Sequence, residues 1–331
     1  VISLGIGEPD FTTPQSILQA GVRSLQKGET HYTSNAGRLE LREAIAEHLY
    51  ALYGVRYDPV DEILITVGVS EALYLSMTAL LNPGEEVIIP TPCFVAYQPE
   101  VILAGGKPIE VVTHVDDDFQ LRPDALEAAI TPHTKAVLIA YPNNPTGAVA
   151  GLDFFNQAAE FGRTHGILVC HDAAYSEVTY DGYRAASFLQ AEGAKETGIE
   201  IHSFSKSYSM TGWRIGMAVG NAEAIDALKT LKSNMDSGIP QAIQLMAIEA
   251  LKGPQDSIEE RNAVYQRRRD LLCEVLGNIG VQPFVPKAGL YVWAKVPEGY
   301  TSLDFTEDLL DQAGIAVTPG NGYGRNGEGY V

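Results

Sequence analysis

Ile63-Leu64-Ile65-Thr66-Val67-Gly68-Val69-Ser70-Glu71 reads as a strand, a small-residue turn and the opening of a helix. Successive apolar and β-branched residues suit a strand buried on both faces. The stretch 70–81 then carries Leu73, Met77, Leu80 and Leu81 at helical spacing. The strand signal returns at 86–89, 108–112, 136–140, 167–170, 199–204 and 215–219, with helical patterns such as 152–165 between most of these runs. Such alternation predicts an α/β fold, a mostly parallel sheet covered by helices on both sides. The pattern changes near Ser237-Gly238-Ile239-Pro240. Helical stretches at 241–251 and 257–276, a strand at 290–296, a helix at 303–313 and a strand at 315–318 make a smaller α+β unit. The expected division is 1–30 as the N-terminal part of that small domain, 31–236 as the large domain, and 237–331 as the rest of the small one.

Composition narrows the function. The chain has 331 residues, enough for about two domains, with 45% hydrophobic and 20% charged residues, so a packed core is expected. Its net charge of −19 repels nucleic-acid backbones, and the densest basic run, Arg267-Arg268-Arg269, sits beside Glu259 and Glu260. Cys93, Cys170 and Cys273 are scattered, form neither a disulfide framework nor a zinc set, and point to a reducing, cytoplasmic setting. No apolar run approaches the ~20 residues of a membrane helix. Val1-Ile2-Ser3-Leu4 lacks Met and the marks of a signal peptide, so truncation at both ends is expected.

An open parallel sheet binds ligands beyond the carboxyl ends of its strands. Gly68-Val69-Ser70 opens a helix there, where free N–H groups and the dipole favour a phosphate. Pro142-Asn143-Asn144-Pro145-Thr146-Gly147, Asp172 with Tyr175, Ser205-Lys206 and Arg214 follow successive strands. Singly, each suits a turn, a cap or a solvated surface. Together they provide an anion cradle, an amide, a carboxylate, a phenol, a lysine and an arginine at one sheet edge, an inventory suited to an anionic aromatic cofactor with a reactive aldehyde. Cys170-His171-Asp172 is no triad, since strand neighbours point to opposite faces. Gly5-Ile6-Gly7-Glu8-Pro9 is an incomplete dinucleotide fingerprint. His165 and His171 lack metal-ligand spacing, and no metal is expected.

With Ser203-Phe204-Ser205-Lys206, Met210-Thr211-Gly212-Trp213-Arg214 and Tyr32-Thr33-Ser34-Asn35-Ala36-Gly37 in view, the whole chain resembles the class I/II aminotransferases of the fold type I pyridoxal-phosphate enzymes. The resemblance implies a seven-stranded-type sheet in the large domain and pyridoxal 5′-phosphate as cofactor. It makes Lys206 the cofactor-linking lysine and general base, Asp172 the partner of the ring nitrogen, and Asn144 and Tyr175 the partners of the ring's phenolic oxygen. Phosphate ligands would be Arg214, Ser203 and the Val69 and Ser70 N–H groups, with Gly68 and Ser205 also among the cofactor-binding residues. Phe94 would stack on the ring, Gly7 and Asn144 would face the substrate, and Tyr32 would reach the cofactor of a partner subunit, implying a homodimer with shared sites.

One departure stands out. The family's carboxylate-binding arginine is expected just after Val331, and Arg325 comes too early to replace it. The implied reaction is exchange of an amino group between an amino acid and a 2-oxo acid, with glutamate/2-oxoglutarate as the usual pair. The first half is similar to bacterial aspartate-type enzymes. His171-Asp172-Ala173-Ala174-Tyr175, Lys232-Ser233-Asn234-Met235-Asp236-Ser237-Gly238 and 318–324 are similar to LL-diaminopimelate aminotransferases. The alternatives are another fold type I reaction (C–S lyase, decarboxylase or acyl transferase), a non-catalytic regulatory domain that binds the cofactor and, more distantly, a nicotinamide-dependent oxidoreductase.

Overall fold

A computed structural model describes residues 1–331. Its strands are β1 (Ile2–Ser3), β2 (Ile63–Thr66), β3 (Glu86–Thr91), β4 (Lys107–Val112), β5 (Thr134–Ala140), β6 (Leu168–Asp172), β7 (Gly198–Ser203), β8 (Gly216–Gly220), β9 (Gln282–Phe284), β10 (Trp293–Lys295) and β11 (Ile315–Ala316). The helices are α1 (Gln15–Gln26), α2 (Leu39–Tyr53), α3 (Gly68–Leu80), α4 (Tyr97–Leu103), α5 (Pro123–Ala129), α6 (Leu152–His165), α7 (Ala194–Thr197), α8 (Phe204–Ser207), α9 (Ala222–Lys232), α10 (Gln241–Lys252), α11 (Asp256–Asn278) and α12 (Ser302–Ala313).

Seven strands form one sheet in the order β2-β8-β7-β6-β5-β3-β4. Only β8 runs against the rest, pairing antiparallel with both β2 and β7. The parallel strands therefore end on one edge, and antiparallel β8 begins there. Strand residues alternate between two helical layers, as a doubly covered sheet requires. Leu64, Val87, Leu138, Cys170 and Ile201 pack with α3 and α4 in one buried cluster. Ile88, Val137, Ile139 and Val169 pack with Phe155, Ala158 and Ala159 of α6 in another. Each large apolar side chain so buried contributes about 1.5–3 kcal/mol relative to an exposed one.

The boundaries expected at 30/31 and 236/237 pass between elements that share a third cluster. Ile17 of α1 and Met246 and Ala247 of α10 pack there with Leu41, Ile45, Ile63, Ile65 and Met217. The smaller sheets are two-stranded. β1 pairs parallel with β11, and β9 pairs antiparallel with β10. Of the strand expected at 290–296, only β10 forms, and Val331 exchanges two backbone hydrogen bonds with Ala294.

Candidate active site

The common edge of the parallel strands gathers most of the residues singled out in the sequence. β7 turns at Ser203 into α8, whose N-terminus Ser203 caps: its Oγ accepts the Ser205 N–H at 3.0 Å. That short turn presents Lys206, whose Nζ donates to the Gly7 carbonyl at 2.5 Å and stands 6.0 Å from the Tyr175 ring centre. Burial holds the Lys206 amine below its ordinary value, and Arg214 lowers it further while Glu8 works in the opposite sense. A lowered value raises the fraction of neutral amine, the form that acts as nucleophile or base.

The register brings Thr66, Ser203 and Gly216 level across β2, β7 and β8. Hence the start of α3 and Arg214 lie together. Gly68 has φ +77°, and a Cβ there would fall 2.7 Å from Arg214 Nη2. The guanidinium thus lies against bare backbone, beside the Val69 and Ser70 N–H groups, which open α3 and have no intrahelical acceptor. Arg214 itself has φ 53° and donates from Nη1 to the Thr211 carbonyl at 2.8 Å. One guanidinium fork, a helix N-terminus and the adjoining Ser203 make an anion cradle. Ser205 is buried, with its N–H committed to Ser203.

Asp172, at the end of β6, is buried; its Oδ2 accepts Tyr97 O–H at 2.8 Å, and its Oδ1 accepts the Ala174 N–H at 3.0 Å. Burial pushes its carboxyl up, against the two hydrogen bonds and the charges of His171 and His202. A cation brought beside it would offset that cost. Tyr97 and Asp172 lie on the α3/α4 side, whereas the His171 ring packs 4.7 Å from Phe155 of α6, so the two neighbours do face opposite ways.

After β5, Asn144 donates from Nδ2 to the Tyr291 hydroxyl at 3.2 Å, and that hydroxyl is 2.9 Å from the Tyr175 hydroxyl. Asn144 Oδ1 is buried without a partner. Turning the amide over lets Tyr291 O–H donate to Oδ1 and frees Nδ2 as a donor, which suits a phenolic oxygen arriving from the cavity. Burial and the neighbouring Tyr291 raise the Tyr175 phenol well above its ordinary value, so it remains a donor. Phe94 is half-buried, edge-on to Tyr97 with ring centres 5.6 Å apart.

Gly7 belongs here for a steric reason. A Cβ on it would lie 2.0 Å from the Tyr291 hydroxyl. The segment carrying it is clipped to the lysine-bearing loop: Thr211 Oγ1 donates to Glu8 Oε1 at 2.5 Å, Trp213 Nε1 to Thr13 Oγ1 at 3.0 Å, and Thr13 Oγ1 to the Ser209 carbonyl at 2.7 Å. Tyr32, by contrast, is 86% exposed. Arg325 is exposed in the turn Arg325–Gly327. A cleft of about 390 Å³ between α5 and α6, lined by Leu126, Ile139 and Phe161, includes none of these groups.

Two further side chains of this candidate site carry no signal in the sequence. Tyr97 lies in the same stretch as Phe94, but its pairing with Asp172 spans 75 residues. Tyr291 meets Asn144 across 147 residues, with no local motif to mark it.

Comparison with known proteins identifies the family. The profile of the family described as "Aminotransferase class I and II" matches residues 1–329. An LL-diaminopimelate aminotransferase of Dehalococcoides mccartyi is 51% identical over 332 residues, covering 100% of this chain and 86% of that protein. One from Moorella thermoacetica is 46% identical over 331 residues, with coverage of 100% and 85%. Among solved structures, an aromatic aminotransferase from Pyrococcus horikoshii superposes with TM-score 0.97 at 42% identity, over 100% of this chain and 90% of that one. Aspartate aminotransferase from Thermus thermophilus with maleate gives 0.95 at 35% identity, over 100% and 86%. The chain is therefore a transaminase of the pyridoxal-phosphate-dependent fold type I and belongs to the class I and II aminotransferases.

Proposed function

We propose that this transaminase takes LL-diaminopimelate as one substrate and uses glutamate/2-oxoglutarate as the other amino donor and acceptor pair. The observation that carries the reading is the 51% identity, across the whole chain, to a protein bearing that substrate's name. The stretches 171–175, 232–238 and 318–324 support it as well. A second reading, an aromatic or aspartate substrate, rests on the structural likeness to enzymes so named.

The residues at the strand ends fit pyridoxal phosphate. Arg214, the Val69 and Ser70 N–H groups and the Ser203 hydroxyl would bind its phosphate, with Gly68 leaving room for the guanidinium. Tyr175 and Asn144, its amide turned so that Nδ2 is free to donate, would hold its phenolic oxygen, and Phe94 would lie against its ring. When bound, the cofactor supplies an aldehyde that takes up the amino group and a ring that accepts electrons from the substrate's α-carbon. Asp172, kept dry and hydrogen-bonded by Tyr97, stabilises a positive charge on the ring nitrogen. Lys206 Nζ, with its lowered proton affinity, moves the proton at the α-carbon. Gly7 offers backbone to the substrate carboxylate, and Tyr291 fixes the Asn144 and Tyr175 donors.

We further infer a homodimer in which Tyr32 serves the neighbouring site, supported by its exposure and by exposed Ile2, Leu4 and Ile6 beside Gly7. The large domain at 31–236, flanked by small-domain segments at 1–30 and 237–331, remains the proposed division. No helix is long and apolar enough to cross a membrane. Three unpaired cysteines suit a reducing, cytoplasmic setting.

The deciding experiment uses full-length protein and single-turnover spectra. Amino donors, including LL-diaminopimelate, aspartate and phenylalanine, are read one at a time, followed by pyruvate, oxaloacetate or 2-oxoglutarate. Conversion of the cofactor to its amine form by LL-diaminopimelate, and its reversal by 2-oxoglutarate, is the expected result. Faster conversion by an aromatic donor or aspartate supports the second reading. Turnover without the amine form would replace transamination by a lyase-type reaction.

A further inference from the structure

The sheet face turned away from Lys206 carries a second polar cluster. His171 and Glu200 stand side by side in register across β6 and β7, and both side chains are 0% exposed. Glu200 Oε2 lies 2.7 Å from His171 Nδ1 and accepts the Phe188 N–H at 2.7 Å. Its Oε1 accepts the Ser187 hydroxyl at 2.6 Å and lies 2.7 Å from His202 Nε2. A fully buried carboxylate costs several kcal/mol unless charge and hydrogen bonds offset it. The ion-pair partners within reach of Glu200 are these two histidines. Burial pushes Glu200 up, but the charge of His202 2.7 Å away and the hydrogen bond with His171 hold it far below the ordinary range.

His171 has a second feature. With Nδ1 turned to Glu200, its Nε2 faces a single residue's backbone: the Tyr141 N–H is 3.2 Å away and the Tyr141 carbonyl 2.9 Å. A neutral ring accepts from that N–H, and a charged ring donates to that carbonyl. Each protonation state thus meets a partner already in place. Tyr141 leads directly into Pro142-Asn143-Asn144, and His171 directly precedes Asp172.

We propose that His171 is a positioning residue for transamination: its proton, shared with Glu200 and His202, sets the charge acting on Asp172 through the sheet and the setting of the loop that carries Asn144. This rests on reading Asp172 as the partner of the ring nitrogen. The groups around the imidazole are Glu200 and His202 from β7, the Ser187 hydroxyl and Phe188 N–H, Phe155 from α6, the Tyr141 backbone at the end of β5 and Asp172 across the sheet; Glu177 faces His202 from beyond.

His171→Asn keeps a donor toward Glu200 but has neither the second ring nitrogen nor a charge. In loaded enzyme, the pH titration of cofactor absorbance should move upward by about one unit, since loss of a nearby cation favours protonated forms. At neutral pH kcat should fall about tenfold with KM for the amino donor within twofold. In cofactor-free wild-type protein, the Tyr141 amide resonance should titrate together with the His171 ring. A flat Tyr141 amide, or an unmoved absorbance titration in variants that only melt at lower temperature, overturns the proposal. Asp172→Ala run in parallel separates the two failures. If it shifts the absorbance and His171→Asn does not, only this inference falls; if neither shifts it, the Asp172 reading falls too.

Discussion

Gly68→Ala tests the anion cradle at its narrowest point. At φ +77° an alanine costs about 1–2 kcal/mol, of which about 0.4–1 returns through a less flexible unfolded chain. The net is close to 1 kcal/mol, a melting temperature lower by about 1–2 °C for a chain of this length. The effect on binding is larger. The new methyl would sit 2.7 Å from Arg214 Nη2 and 3.2 Å from its Cζ, so the guanidinium must retreat by roughly 0.7 Å to regain ordinary contact at 3.4 Å. Losing one charge-assisted hydrogen bond to the phosphate costs about 1.5–3 kcal/mol, or roughly 10–100-fold in Kd. The assay titrates cofactor-free protein with pyridoxal phosphate and, separately, with pyridoxal. Gly68→Ala should weaken the first by that factor and leave the second within about twofold. Equal losses for both, or none for the phosphate ester, would refute the argument that Gly68 exists to seat Arg214.

Borohydride reduction should fix the cofactor on the peptide containing Lys206, and a label on any other lysine removes the assignment. Asp172→Ala should still bind cofactor but lose most turnover; undiminished activity would mean that the ring nitrogen needs no carboxylate. The depressed proton affinity of Lys206 makes cofactor-free protein gain stability as pH rises from its lowered value toward 10.5, because the unfolded chain then binds more protons. Lys206→Met should accordingly melt higher than wild type at pH 7, with the gap closing near pH 10.5. Glu100, raised to about 8 by burial and by Asp172, contributes stability below its ordinary value near 4.5 that is lost as pH rises through 8. Glu100→Gln should therefore gain on wild type between pH 5 and 9, and parallel melting curves would contradict this. Mixing inactive Lys206→Ala with Tyr32→Phe chains should restore part of the activity if neighbouring subunits share sites.

The fold was legible wherever one local signal dominated. Apolar runs gave each of the seven central strands to within a few residues, and the helix expected at 152–165 is α6, Leu152–His165. The rule that ligands gather at strand ends then brought Asp172, Lys206 and Arg214 to one edge. Outside the central sheet the signal weakens. Leu290 to Val296 is apolar enough for a longer strand, yet only Trp293–Lys295 pairs, because β9 offers three partners. What stayed hidden in the site are pairings set by sheet register. Tyr97, at the start of α4, reaches Asp172 at the end of β6 from 75 residues away, and Tyr291 arrives from the far part of the chain. The His171–Glu200 pair is written in residues 29 apart, meaningful only once β6 and β7 are neighbours.

The clip that joins Thr13 to Ser209 and Trp213 also bears on how the protein is made. The segment bearing Gly7 is synthesised about 200 residues before its anchors, a wait of about 10–40 s at ordinary synthesis rates. β1 waits longer still, for β11. Through that interval the Gly7 carbonyl and the Thr13 hydroxyl lack their partners, so this segment takes its final place only after the lysine-bearing loop has been made.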